Sequence, residues 1–484
     1  MSFFSVDPLR WWTALGLLMT YGLMCATVWW AHHRRERTRL CQHNQLGEAT
    51  AGEVRVLVAH GSQTGQAEQL AWRTAESLHL AGRGVRVCPL NEVDAAALAQ
   101  VSELYVITST YGEGDPPDSA ALFADRLDAP QAPRLSGLKH AVLALGDREY
   151  EHFCGFGRRV DAWFSQQGAT PLFDRIEVNQ MDDGAIRAWF EHLSMHAGAV
   201  AMAGWQAEPL DVAGWRLAER RLLNAGSPGE GVYHLELEPL EGPLPNWEAG
   251  DLVHIAPPQG ALNEAGEPDR RPRAYSIASV PEDGRLHLLV RLRRLADGGT
   301  GCVSGWLCLH AAIGERLTLG VRAHPSFRIG DNADRRLLLV GNGTGMAGLR
   351  AHLRARAHAR RHAGQGGSEA AASAVAPSWL FFGERDPHVD LHHGEELRAW
   401  QAKGWLAGLD LAFSRDPAEP AYVQQRLAER AQEIRDWVSQ GAAIYVCGSL
   451  AGMAASVDAT LREVLGGDTL LALQRAGRYR RDVY

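Results

Sequence analysis

The stretch Arg273-Ala-Tyr-Ser-Ile-Ala-Ser279 joins one fixed cation, one aromatic ring and two serine hydroxyls in a short apolar run. As a strand with period-2 alternation it sets Arg273 and Tyr275 on one face, Ala274 and Ser276 on the other. A guanidinium can grip a phosphate bidentately, and the ring offers a flat surface to another ring. Taken alone, the run is equally a buried strand with a satisfied arginine. Its companions along the chain weigh against that reading. Ser62, Gln63, Thr64, Gly65, Gln66 and Ala67 form a hydroxyl- and glycine-rich turn between a strand signal at residues 54–59 and a helical run to about Leu80. Backbone N–H groups and a helix dipole at such a junction make an anion site. The turn has neither the lysine of a P-loop nor the G-x-G-x-x-G spacing. Downstream, a glycine-rich turn ends in Gly301, Cys302, Val303 and Ser304 before a second helical signal, although many hairpins are as rich in glycine.

The elements that must position these residues form a pattern. Buried-strand signals at residues 104–109 and 141–145 each release a polar, glycine-bearing loop, Thr110-Tyr-Gly-Glu-Gly-Asp-Pro-Pro117 and Gly146-Asp-Arg-Glu-Tyr-Glu-His-Phe153. Three parallel-type strands with such loops at their C-terminal ends predict a doubly wound domain with ligand at that edge. A loop tyrosine by itself commonly packs on the surface. Two of them, Tyr111 and Tyr150, each on such a loop, read as a pair of ring-binding groups. Residues 197–213 turn to Ala, Gly, Pro and Met without a period and read as a linker. From residue 214 short alternating runs predict an antiparallel barrel. A strand at residues 336–340 and the turn Gly341-Asn-Gly-Thr-Gly-Met-Ala-Gly348 then begin a second parallel α/β unit. Its later strands are expected at residues 379–383 and 444–448, with an Ala/Gly/Ser-rich surface loop at residues 361–377. The expected division is 1–40, 52–196, 197–213, 214–330 and 331–484.

With these motifs on hand, Arg273-x-Tyr275-Ser276 resembles the FAD-binding motif of the ferredoxin-NADP reductase family. Together with the upstream flavodoxin-like loops, residues 52–484 resemble the diflavin reductases, above all the flavoprotein component of bacterial NADPH-sulfite reductase. The tail Arg478-Tyr-Arg-Arg-Asp-Val-Tyr484 is similar too. The resemblance implies FMN on Ser62–Ala67, with its phosphate on that turn. The same cofactor would also be bound by Ser109, Thr110, Tyr111, Gly112, Leu145, Gly146, Asp147, Tyr150, Phe153 and Cys154, its ring sandwiched by Tyr111 and Tyr150. FAD is implied on Arg273, Ala274, Tyr275, Ser276 and Gly301–Ser304, with Tyr484 stacked over it. NADPH is implied on Gly343, Thr344, Ser414, Arg415, Tyr422, Gln424 and Asp458, the middle residues gripping the ribose 2′-phosphate. Ser276, Cys447 and Asp482 would surround the hydride transfer. Read without the family, Ser414-Arg415 is a solvated turn, Cys447 an apolar filler and Tyr484 a frayed terminus. The chain departs from the family at Arg148, Asn342, Gly348 and Pro420, the last standing where relatives place a lysine. Only 17 residues separate Ile255 from Arg273, too few for the helical connecting domain of the larger diflavin reductases.

Composition bounds the rest. Apolar residues make up 46% and charged residues 22%, an ordinary globular balance over a length suited to several domains. Residues 52–196 hold 20 acidic and 12 basic side chains, so the whole net charge of −8 lies there. An acidic docking face for a basic partner is one reading and simple solubility the other; nucleic acid is not an expected partner. Seven cysteines form no C-x-x-C pair and no metal-type cluster, so no metal is expected and the compartment reads as reducing. Residues 11–31 are an uncharged, mostly apolar run with paired tryptophans at both ends and a basic flank after it. They predict a single-pass anchor in the inner membrane with the catalytic domains in the cytoplasm, a cleaved signal peptide being the competing reading. The expected activity is electron passage from NADPH through FAD and FMN to a separate acceptor. That acceptor would be a sulfite reductase haem subunit, a membrane haem protein or a ferric-siderophore system. A redox sensor or docking subunit without turnover is the reading from another class.

Overall fold

The computed structural model describes residues 56–484 apart from 64, 112–113, 129–132, 149, 198–212, 263–267, 270–271, 296–297 and 366–374. Thr64, Gly112 and the run 11–31 therefore lie outside the described residues.

The first unit is a parallel sheet of β1 (Val56–Gly61), β2 (Val85–Pro89), β3 (Glu103–Ser109), β4 (Lys139–Gly146), β5 (Thr170–Pro171) and β6 (Ile176–Asn179). Its order is β2-β1-β3-β4-β5, with β6 also on β4. Strands buried on both faces read as continuous apolar runs, and β1 shows this, with every residue buried. Leu57 and Ala59 face one core with Phe156, Val160 and Phe164 of the helix Gly155–Gln166. Val56 and Val58 face the other, with Leu70 of the helix Gln66–Leu80 and Trp189 of the helix Asp183–Ala197. The strand order reverses between β1 and β3, so their C-terminal loops diverge and open a crevice there.

The second unit is antiparallel: β7 (Ala213–Leu222), β8 (Val232–Pro239), β9 (Leu252–Ile255), β10 (Arg273–Ser276), β11 (Leu286–Arg291) and β12 (Arg316–Arg322), in the order β10-β9-β12-β7-β8-β11. Ile277, just beyond β10, bridges Leu288 of β11 and joins the two edges. Trp215, Leu235, Val253, Leu286, Leu288 and Val290 fill the interior. The alternate residues of β11 point outward, and Leu289 packs into the core of the third unit. β9 and β10 pair directly and antiparallel, Ile255 opposite Arg273.

The third unit is a parallel sheet of β13 (Leu337–Asn342), β14 (Ser378–Glu384), β15 (Leu406–Phe413), β16 (Ala443–Gly448) and β17 (Tyr479–Val483), ordered β15-β14-β13-β16-β17. The helix Met346–Gln365 covers one face, while Val423–Glu429, Ala455–Leu465 and Gly467–Arg475 cover the other.

Two expectations need correction here. The loop expected at 361–377 begins later, because residues 361–365 continue the helix. Alanine and arginine favour helix as readily as a loop, and tertiary contacts decide the matter. Arg356 and Arg360, buried on that helix, donate to the carbonyls of Val375, Ala376 and Pro377 and fix where the chain returns. The second concerns the membrane. Among the described residues no helix is long and apolar enough to cross one.

Candidate active site

Three loops from the first sheet enclose a cleft of about 180 Å3. Gly65 caps the helix Gln66–Leu80 in the left-handed region (φ 84°), which suits glycine there. Ser119 Oγ accepts from Ser62 N at 2.7 Å and donates to Ser62 O at 2.9 Å, pinning the turn. Among the described residues Ser62 Oγ is then buried without a partner. An orphaned hydroxyl at a helix N-terminus is what a phosphate-binding turn offers, so the residues fit the FMN phosphate. Gln63, Gln66, Ser109, Thr110, Tyr111, Leu145, Gly146, Asp147, Tyr150, Phe153 and Cys154 all line this cleft. Gly146 passes so close to Cys154 that an added Cβ would meet its backbone nitrogen at 2.8 Å. Arg148 leaves the cleft and lies 5.2 Å from the Phe153 ring centre. Gln180, which donates to Asp147 at 2.7 Å, also lines the cleft and carried no signal in the sequence.

A larger cavity of about 870 Å3 lies between the second and third units. Ala274, Tyr275 and Ser276 reach it from β10, Gly343 and Thr344 from the turn after β13, Ser414 from the end of β15, and Tyr422 and Gln424 from the start of the helix Val423–Glu429. Asp482 and Tyr484 enter from the C-terminal strand. Ser276 Oγ donates to Asp482 Oδ2 at 2.7 Å, and Cys447 Sγ lies 3.7 Å from the same oxygen. The β16–β17 register sets Cys447 opposite Asp482, which is why residues 35 apart in sequence meet. Burial, reinforced by the Asp482 charge, holds the Cys447 thiol well above its ordinary pKa, so it stays protonated. Gly345 must be glycine, since a Cβ there would lie 2.0 Å from the Cys447 carbonyl oxygen. The terminal residue is anchored, its N–H donating to Gly448 O at 2.9 Å and its hydroxyl to Thr344 Oγ1 at 3.1 Å.

Other expected residues stand apart from this cavity. Arg273 pairs with Asp269 at 2.8 Å. Both charges act on the Cys302 thiol, which places the turn Gly301–Ser304 beside Arg273. Val303 is buried in the barrel interior, and Ser304 Oγ accepts from Arg293 N at 3.2 Å. Arg415 is exposed, and its N–H donates to Arg385 O. Asp458 accepts from Arg462 and from the Tyr479 hydroxyl. Arg291, Asn342, Glu384 and Arg385 line the cavity without having been anticipated. Among the described residues His234, Glu236 and His287 come within reach of one another as a metal might require. However, Arg285 pairs with Glu236 at 2.9 Å and Arg350 lies 3.3 Å from His287 Nδ1, so guanidiniums already supply the positive charge.

Gln63 and Tyr111 line both cavities. Tyr111 also packs against the core of the third sheet. Gln63 Nε2 donates to Arg481 O at 3.1 Å, and Arg322 Nη2 donates to Gln69 Oε1 at 2.9 Å, so the first unit abuts both others.

Comparison with known proteins agrees with this layout. The Flavodoxin family matches residues 58–192, and the Oxidoreductase NAD-binding domain matches residues 339–459. The chain is 26% identical to the sulfite reductase [NADPH] flavoprotein alpha-component of Bacillus subtilis, covering 90% of each chain. It is 26% identical to that of Neisseria meningitidis serogroup C, covering 91% of each, and 25% identical to that of Vibrio vulnificus, covering 90% of this chain and 88% of the relative. The alignment with the first runs over 563 positions, more than the 484 residues present here, so the relative carries segments this chain lacks. The single-pass inner-membrane location expected from residues 11–31 does not stand beside these findings. Its relatives are flavoprotein components of sulfite reductase, and no described helix can span a bilayer. A lone apolar run reports length and hydropathy, which are required for insertion but do not establish it. The chain joins a Flavodoxin domain to an Oxidoreductase NAD-binding domain, and it is an NADPH-dependent flavoprotein oxidoreductase that uses FMN and FAD.

Proposed function

We propose that the chain passes electrons from NADPH through FAD in the large cavity to FMN in the small cleft, and from there to a separate haemoprotein acceptor. One observation carries this reading. Gln63 and Tyr111 form a wall common to the two cavities, while Tyr150 at the cleft is 42% exposed. One side of the cleft thus faces the donor cavity, and another faces solvent, where an acceptor can approach. When bound, FAD accepts a hydride from NADPH and releases electrons singly.

The protein's part is position and charge. Tyr111 and Tyr150 hold the FMN ring, and the Ser62–Ala67 turn holds its phosphate. Tyr275 and the Arg273–Cys302 region hold FAD. Ser276, Cys447 and Asp482 form one hydrogen-bonded group that fixes a carboxylate and a neutral thiol where coenzyme and flavin meet. Tyr484 covers that place until the nicotinamide arrives. Ser414, Arg415, Tyr422 and Gln424 recognise the adenosine end, with NADPH preferred although Pro420 provides no cation. The acidic surplus of residues 52–196 gives an acceptor with a basic face a complementary surface. The naming of the relatives as sulfite reductase components supports a sulfite reductase haem subunit as that acceptor.

Acid extraction of purified protein should release FMN and FAD in near-equal amounts. NADPH should then reduce a sulfite reductase haem subunit in the presence of this chain, and Tyr111→Ala should abolish that transfer while FAD reduction persists. Recovery of a single flavin type would end the relay.

A further inference from the structure

The turn Ser62–Ala67 offers N–H groups and hydroxyls to a phosphate but carries no cation, and Glu68 adds a negative charge in the first turn of the helix it opens. Cations reach these segments from the other two units. Arg481 of β17 pairs with Asp118, Nε at 2.9 Å and Nη2 at 2.6 Å from one carboxylate oxygen. Arg322, the last residue of β12, donates to Gln69 Oε1 at 2.9 Å, one position beyond Glu68. Both bonds cross a junction between units.

Asp118 is tied to the turn itself. Its N–H donates to Gln63 Oε1 at 2.9 Å, and its carboxylate lies 3.4 Å from Gln63 Nε2, which also donates to Arg481 O at 3.1 Å. Gln63 is buried, so these bonds fix its side chain and with it the backbone of the turn. The next residue, Ser119, holds Ser62 through both its N–H and its carbonyl. Within the first unit Asn91 Nδ2 donates to the Asp118 carbonyl at 2.9 Å, so the main chain of Asp118 has local support. Its charge does not. Among the described residues the cation that answers the Asp118 carboxylate is Arg481 of the third unit. Without that guanidinium the carboxylate would stand uncompensated, one hydrogen-bonded residue away from a bound phosphate, and like charges repel.

We propose that Arg481 and Arg322 are positioning residues for the FMN phosphate turn, so that FMN affinity and the docking of the first unit on the other two are coupled. This rests on the reading of Ser62–Ala67 as the phosphate turn. Arg481 carries the larger share, because it neutralises a carboxylate, whereas Arg322 makes one bond to an amide. The coupling is reciprocal by thermodynamic necessity. A docked first unit holds FMN more tightly, and a chain that has lost FMN docks more loosely.

The test is fluorescence titration of the full chain, depleted of FMN and still loaded with FAD, with two ligands. FMN carries the phosphate; riboflavin has the same ring and lacks it. Arg481→Ala should weaken FMN by about tenfold and leave riboflavin within about twofold. Arg481→Lys, which keeps the charge and loses the fork, should recover part of the loss. Adding Asp118→Asn to Arg481→Ala removes the uncompensated charge and should recover most of it, which a purely structural role for the pair would not produce. Arg322→Ala should weaken FMN by a smaller factor, again without touching riboflavin. Unchanged FMN binding in Arg481→Ala, or equal weakening of both ligands, overturns the assignment, as does a double variant no better than Arg481→Ala alone. If the unaltered protein binds riboflavin as tightly as FMN, the turn does not read a phosphate, and the reading of the turn fails along with the proposal.

Discussion

Arg481 closes on Asp118 across the junction of the first and third units, with Nη2 at 2.6 Å and Nε at 2.9 Å from the same carboxylate oxygen. The Asp118 charge keeps the guanidinium firmly protonated against the opposing effect of burial. Arg481 precedes Asp482 on β17, so one strand both holds the flavodoxin unit and lines the large cavity.

That clasp predicts a separable defect. Asp118→Asn should leave FAD reduction by NADPH unaltered and slow the onward reduction of FMN by roughly tenfold, a charge-assisted pair being worth about 1.5–3 kcal/mol. Stopped-flow absorbance resolves the two steps. The exchange Asp118→Arg with Arg481→Asp should restore part of the rate, whereas an unaltered FMN step in Asp118→Asn would exclude the clasp from electron delivery.

Tyr484 bears on coenzyme choice. Its ring is 49% exposed at the cavity and tethered through Thr344, so an entering nicotinamide must move it. Displacing a ring stack costs ~1 kcal/mol, which NADPH offsets with its extra phosphate contacts and NADH does not. Tyr484→Ala should therefore raise kcat/KM for NADH more than for NADPH, narrowing selectivity by roughly tenfold. Arg415→Ala should narrow it from the other side by weakening NADPH. An unchanged ratio in Tyr484→Ala would leave the terminal ring with no gating role.

Asp482 is placed to tune the hydride step. Asp482→Asn keeps a partner for Ser276 Oγ and removes the charge beside Cys447. The rate of FAD reduction should fall by about 10- to 100-fold with KM nearly unchanged, because the change lies at the reacting end of the site. A rise in KM at constant rate would assign Asp482 to binding alone.

Acid should destabilise the fold earlier than carboxylate titration alone would. Burial holds His60 and His234 down to about 4 and His287 to about 3, all from an ordinary value of 6.5. A depressed histidine binds its proton more readily in the unfolded chain, so stability is fully present above pH 6.5 and drains away as pH falls towards 4. A shift of this size corresponds to ~3 kcal/mol per group at the acid end of that window. Melting temperatures should decline from pH 6.5 to pH 4, and His60→Gln should flatten the decline. A profile level down to pH 4.5 would contradict this.

Much of the site was legible because it lies on local motifs. The turn Ser62–Ala67, the loops bearing Tyr111 and Tyr150, and the turn at Gly343–Thr344 are each contiguous, and a strand–turn–helix junction builds an anion site from its own backbone. The apolar runs around them likewise announce buried parallel strands, and alternation announces the barrel. Sequence patterns also misled, in the run 11–31, where apolar length, paired tryptophans and a basic flank suggested an anchor, and at residues 361–365, where the helix continues behind Arg356 and Arg360, whose partners composition does not reveal. What tertiary structure alone decided is where separate units meet. Arg291 and Glu384, which pair across the second and third units, are 93 positions apart. Asp118 and Arg481 are 363 positions apart. No periodicity or spacing encodes such pairs. They arise because the outward face of β11 and the tail strand β17 pack against neighbours whose own folds are settled independently, and only that docking brings the charges together.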